Sequence, residues 1–279
     1  HQIRRRRTQR TEHSDRAEVR SASPLTPRSR RLGGLSIGLI VPALLLVAWQ
    51  LATAVTGFFA PSQLPPPGDV VAALSDLARH GELWTHLRAS GWRVLAGYAS
   101  GAAAGLALGS LVGLSATARR LLAPTVAAFR TVPSLAWVPL LLLWFGIDET
   151  PKILMVAVGA FFPVYTTTAS ALSHIDAHLV EVGRAYGRHG VSLLTAVLLP
   201  AAAPELVNGL RLGLANAWLF VVAAELIASS KGLGFLLIDS QNSGRTDVML
   251  LAIVLLAGLG KLSDAALGAV ETRIARRRG

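Results

Sequence analysis

HIDAHLVEVGRAYGRHGVSLLTAVLLPAAAPELVNGLRLGL, His174 to Leu214, is the stretch on which the fold turns. Its helical period breaks at Gly187 and Gly190 and again at Pro200, so it reads as helix, turn, helix. The part from His174 to Pro200 is too polar for a bilayer interior. It sits between two long apolar runs, roughly 153–172 and 205–228. A compact, exposed helix pair between two spans is more than a connector needs, and its surface is expected to receive a partner protein.

Working outward, the composition is that of a membrane protein. The 279 residues are 52% hydrophobic and 15% charged, with positive mean hydropathy. A spanning helix needs about 20 largely apolar residues. Four further runs meet that length: roughly 35–55, 87–114, 122–145 and 248–270. The expected fold is all-α, polytopic, with six transmembrane helices. The run after the basic start exceeds a signal-peptide core and is expected to be a retained first span.

The net charge of +11 lies mainly at the ends. Residues 1–31 hold ten Arg against Glu12, Asp15 and Glu18. They carry few large apolar side chains and are expected to form a basic, disordered tail, with the permeating domain over 32–279. With the N-terminus cytoplasmic, this tail, Arg119 with Arg120, Arg184 with Arg188, and the C-terminal arginines all fall inside, as the positive-inside rule requires. The charge thus reads as cytoplasmic flanks facing lipid, not as a nucleic-acid site. Both termini are expected on the cytoplasmic side.

Between the first two spans, the Pro-rich stretch to Gly68 ends any helix. An amphipathic helix from Asp69, with Val70, Leu74 and Leu77 on one side, is expected to lie on the membrane surface. The second span carries Gly97, Gly101, Gly105, Gly109 and Gly113 at four-residue spacing. That spacing makes a groove into which another helix can pack closely. Pro124, Pro133 and Pro139 should kink or interrupt the third span.

In the fifth span Glu205, Asn208, Arg211, Asn216 and Glu225 share about half of the helical wheel. Ionisable groups in a span normally face protein interior or a wet path. Glu205 and Arg211 are placed near the cytoplasmic end, within reach of water. Glu225 could line a path, pair with a helix of a second copy or stabilise a gate, and structural pairing is favoured. Thr131, Ser134, Asn216 and Trp218 are the other candidates for a translocation path, against a plain packing role.

Several chemistries are absent. There is no Cys, so no thiolate site or Cys nucleophile exists. His174 and His178 lack a third ligand, so no metal site is expected. No Walker A motif occurs; the nearest approach, Gly260-Lys261-Leu262, lacks its first glycine and its hydroxyl. ATP and its magnesium must then bind to another subunit, if they are used. No cofactor is expected in this chain, and no Ser, His and Asp arrangement marks an enzyme.

Glu181, Gly187 six residues later, and Leu199-Pro200 at plus eighteen and nineteen resemble the EAA loop of binding-protein-dependent ABC importer permeases. The usual Glu-Ala-Ala is Glu181-Val182-Gly183 here. The stretches LPPPGDVVAAL, RTVPSLAWVPLLLLWFGIDETPK, GAFFPVYTTT and AELIASSKGLGFLL extend the likeness over nearly the whole chain after the tail. They look like the nitrate, sulfonate and taurine branch, and SGRTDVMLL with GKLSDAAL is similar to aliphatic sulfonate permeases.

The resemblance implies the type I importer permease fold and a bacterial plasma (inner) membrane location. It also implies two ATPase subunits, a second permease copy forming a homodimer, and an extracytoplasmic substrate-binding protein. For Glu181, Arg184, Tyr186, Gly187 and Arg188 it implies contact with the ATPase and transmission of its closure. The plain alternative for Glu181 and Arg184 is a solvated i, i+3 pair. Two rivals stay open: the same assembly importing nitrate, taurine or a pyrimidine precursor, and an ATP-independent channel or secondary carrier.

Overall fold

Apolar runs punctuated by Gly, Pro and Asp become helices throughout the described part of the chain. A computed structural model describes residues 30–55, 59–60 and 62–276. The expected tail therefore lies outside the described residues up to position 29. Arg30–Gln50 forms α1, which a π-type turn extends over Leu51–Val55. The remaining elements belong to a second unit beginning at Gly57.

In that unit α2 spans Pro67–Arg79, α3 Glu82–Leu114, α4 Ala116–Thr131, α5 Trp137–Phe145 and α6 Glu149–Ser173. Next come α7 Ala177–Ala185, α8 Gly190–Leu193, α9 Leu199–Ala228, α10 Leu233–Asn242 and α11 Thr246–Arg276. No strand occurs among the described residues. Four helical stretches there are long and apolar enough to cross a bilayer, and a fifth forms if α4 and the segment Ser134–Phe145 count as one bent span. Ile40–Ala54 is a shorter apolar helix.

Two expectations are refined by the chain's own chemistry. The proline-rich third span breaks at Val132-Pro133, where its two halves diverge by 80°. Pro133 disfavours helical backbone at Val132, which is extended at φ −70° and ψ 124°. At Pro200, by contrast, the helix does not end. A π-type segment, Leu194–Leu198, runs straight into α9, and the Leu199 N–H bonds back to the Leu194 carbonyl. Widening the turn by one residue accommodates a proline in the first turn of α9 without a break.

The body is centred on α3, α6 and α9, which share the most extensive contacts. All five glycines of the α3 stripe are buried and face α6. A Cβ added at Gly101 would overlap the Ala157 backbone, and at Gly97 it would lie 2.7 Å from the Ile153 carbonyl oxygen. At Gly109 and Gly113 it would meet Thr168 and Leu172 at 2.8 Å. The two backbones thus touch directly, a contact that dispersion alone can sustain in lipid. The amphipathic α2 buries Val70, Ala73 and Leu77 against α11 and α3, with Leu74 half-buried, so its apolar side is spent on protein.

One end of this bundle is tied by charge. Arg93 of α3, fully buried, donates two hydrogen bonds of 2.7 Å to Glu149 at the start of α6. Its Nη1 donates to Glu225 of α9 and to the Lys231 carbonyl, each at 2.7 Å. Glu225, also fully buried, accepts further bonds from Ser90 Oγ at 2.7 and 2.9 Å and from the Gly234 N–H at 2.8 Å. Lys152 approaches Glu149 at 3.5 Å. Every charge in the cluster has a partner, which buried ions require.

Two stability outcomes follow. Gly101→Val should lower the thermal midpoint of detergent-purified protein by several degrees or prevent accumulation, since overpacking costs about 1–3 kcal/mol even where the backbone can shift. Gly258→Ala, with nothing within 4 Å, should be tolerated. Arg93→Met should cost roughly 3–5 kcal/mol by stranding Glu225, and Glu225→Gln on that background should recover part of the loss. A double-mutant cycle on thermal midpoints reads the coupling, and additive effects would deny it.

Candidate functional site

The segment between α6 and α9 folds as a short helix closed by a glycine turn. Asp176 caps α7 by accepting the His178 N–H at 2.9 Å. The helix closes on Gly187, at φ 76°, with the Gly187 N–H donating to the Arg184 carbonyl and the Arg188 N–H to the Gly183 carbonyl. This pair of bonds is a Schellman closure, and its left-handed residue favours glycine. Gly190, at φ 54°, supplies the second reversal and opens α8.

One side of α7 is anchored. Ile175 and Val180 pack with Ala171, Leu172, Leu193, Leu198 and Ala202 in a small core joining the ends of α6 and α9. Gly183 is buried against this core, where a Cβ would come within 2.6 Å of Leu193 Cδ1. The Glu-Val-Gly departure from Glu-Ala-Ala therefore coincides with a helix seated one methyl group closer to its support.

The other side of α7 is bare. Leu179, Val182 and Tyr186 are exposed, Tyr186 by 83%, together with Glu181, Arg184 and Arg188. Glu181 lies 4.0 Å from His178 on the same helix, and Arg188 donates to Ser192 Oγ at 3.1 Å. Arg184 lines a cavity of about 600 Å³ between α7, α8 and the ends of α3 and α6. The five residues singled out in the sequence thus lie on one element and its closing turn, with apolar and charged groups interleaved on an exposed surface.

The candidate path residues are not gathered. Thr131 lines a cavity of about 480 Å³ with Arg130, Tyr165 and Thr166, and that cavity includes none of Ser134, Asn216, Trp218 or Glu225. Thr131 and Ser134 lie on either side of the Val132-Pro133 break. Asn216 Nδ2 donates to the Leu212 carbonyl of its own helix. Trp218 Nε1 donates to Ser263 Oγ of α11 at 2.9 Å. Glu225 is fully buried and bonded to Ser90, Arg93 and the Gly234 N–H of its own chain.

Arg93 and Ser90 were not singled out in the sequence, although an Arg inside an apolar run is itself the signal. Arg211 keeps 39% of its side chain exposed and is also paired: it makes a bidentate pair with Asp264 of α11, at 2.7 and 2.9 Å, and approaches Glu271 at 3.5 Å. The fold brings Asp264 to the level of Arg211, a pairing across 53 residues that spacing cannot reveal. No group of three metal-ligating side chains occurs among the described residues.

Comparison with known proteins agrees with this architecture. A family profile described as binding-protein-dependent transport system inner membrane component matches residues 101–276. A protein of Escherichia coli (strain K12) named as an aliphatic sulfonates transport permease protein, SsuC, is 42% identical over 80% of this chain and 85% of its own length. The taurine transport system permease protein TauC of the same organism is 36% identical over 89% of this chain and 90% of its own. Among solved structures, the MetNI methionine ABC transporter in an inward-facing form superposes with a TM-score of 0.59 and 25% identity, covering 70% of this chain and 95% of that one. By profile, sequence and fold together, the chain belongs to the family of binding-protein-dependent transport system inner membrane components, multi-pass permease subunits that work with an ATPase and a substrate-binding protein.

Proposed function

We propose that this chain is the translocation subunit of an importer for aliphatic sulfonates or related small anions, working as two copies with two ATPase subunits. The observation that carries the coupling role is the Gly187-closed α7, anchored by Val180 and Gly183 on one side and bare on the other. The ATPase subunits bind ATP and magnesium and receive Glu181, Arg184, Tyr186 and Arg188 in a surface groove. The substrate-binding protein delivers cargo on the opposite face. α1 supplies a sixth crossing, and both termini lie in the cytoplasm.

Mechanically, a short helix closed by a rigid turn transmits displacement well. When the ATPases close on ATP they draw the two α7 helices together, which favours the outward-facing state; hydrolysis releases them. The force enters the ends of α6 and α9 through the core formed by Leu172, Leu193 and Leu198. Thr131, Ser134, Asn216 and Trp218 then act where the conformational change opens a route. The names of the relatives favour a sulfonate cargo, and nitrate, taurine or a pyrimidine precursor are the alternatives within the same assembly.

Gly187→Pro cannot adopt φ 76° and removes an N–H used in the turn. It should leave membrane insertion intact yet abolish ATP hydrolysis stimulated by the substrate-binding protein loaded with an alkanesulfonate, and Glu181→Lys should do the same. Wild-type stimulation in both variants would refute the coupling role. Stimulation of the wild-type assembly by nitrate or taurine alone would leave coupling intact and reassign the cargo.

A further inference from the structure

At the end of the bundle remote from α7, α3 presents a stripe that the transport mechanism does not use. Trp84, Arg88 and Trp92 follow each other at four-residue spacing, with Leu95 a further turn along, and all four are exposed. Trp84 is 63% exposed, and Trp92 and Leu95 are 61% exposed. Large indoles left bare in this order are unusual for a protein surface facing only water.

The length of α3 sets the depth of this stripe. Its 33 residues are roughly 50 Å long, against a hydrocarbon core of about 30 Å. Counting about 20 residues back from Leu114 brings the edge of the core to the neighbourhood of Leu95. Leu95 then meets acyl chains, Trp92 lies at the interface where indoles concentrate, and Arg88 reaches the headgroup layer about 6 Å further out.

Across from Arg88 stands Lys231, and the two cations line one cavity of about 660 Å³ with Thr85, Trp92, Leu95 and Glu149. Neither Arg88 nor the Lys231 ammonium pairs with a carboxylate among the described residues. The acid in the lining, Glu149, already holds Arg93 through two bonds and Lys152 beside it. The cavity is therefore positive in effect and open to an oxyanion carrying an apolar tail.

We propose that Arg88, Trp92 and Lys231 form a binding site for the phosphate of an anionic phospholipid in the outer leaflet. Arg88 and Lys231 hold the phosphate oxygens, Trp92 packs on the glycerol region and Leu95 on the first acyl carbons. Because Lys231 contributes its carbonyl to buried Arg93, a lipid held by its ammonium bears on the loop that closes the ion cluster. Only the assignment to the outer leaflet rests on the orientation proposed above; the site itself rests on the stripe and the cavity.

The test uses the complete permease–ATPase assembly, released from nanodiscs containing equal phosphatidylglycerol and phosphatidylcholine, with retained lipid counted by native mass spectrometry. The wild type should retain phosphatidylglycerol preferentially. Arg88→Gln with Lys231→Gln should weaken that retention roughly 10- to 30-fold, as two lost cations near a lipid phosphate imply. Arg88→Lys alone should keep most of it, and Arg79→Gln on α2, which does not line the cavity, should change nothing. Undiminished retention in the double variant would overturn the site. Displacement of the lipid by micromolar octanesulfonate would assign the cavity to a soluble anion instead. The chain has no native cysteine, so a disulfide-linked permease dimer through Trp92→Cys would show the stripe covered by a second copy and also overturn the proposal.

Discussion

The contact on which the rest of the bundle depends is the direct backbone approach of α3 to α6. Helices in lipid have no hydrophobic drive to associate, because the surrounding tails are as apolar as their own side chains. Removing side chains from one face is the remaining way to gain close dispersion contact. Gly97 to Gly113 do this over five successive turns, and Val156, Ala157, Thr168 and Leu172 fill the space. With this seam in place, α9 can pack on α6 through Val156, Ala160, Leu214, Ala217 and Val221.

The seam also supports α6 along most of its length. Its 25 residues rise roughly 37 Å from Glu149, in the buried ion cluster, to Ser173, at the base of α7. One end is clamped by Arg93 to α3 and α9; the other continues into α7 through His174 to Asp176. The ion cluster holds α3, α6 and α9 in register while the 80° break between α4 and α5 leaves that hairpin with fewer ties. The bend at Pro133 lies beside Thr131, which lines a cavity with Arg130, Tyr165 and Thr166.

Features set by local chemistry are legible in the sequence alone. Glycine spacing announces the α3 groove, the prolines announce the interrupted third span, and Gly187 and Gly190 announce two reversals. Features set by distant pairing are not. Nothing near Arg93 names Glu149, 56 positions away, or Glu225, 132 positions away. Glu225 is visible as a polar residue in an apolar helix, but its partners fall on other segments, and only folding brings them together. Pro200 misleads for a related reason: its missing N–H argues for a break, and a π-type turn absorbs it.

The most direct test of the proposed coupling role is a distance between the two α7 helices in the assembled transporter. The chain contains no cysteine, so Leu179→Cys introduces a single spin label on the bare face without further changes. Electron-paramagnetic-resonance distances should shorten when ATP is trapped in a hydrolysis-deficient ATPase partner and lengthen again with ADP, with Gly187→Pro abolishing the change. A distribution identical in every nucleotide state would contradict the idea that α7 moves the bundle.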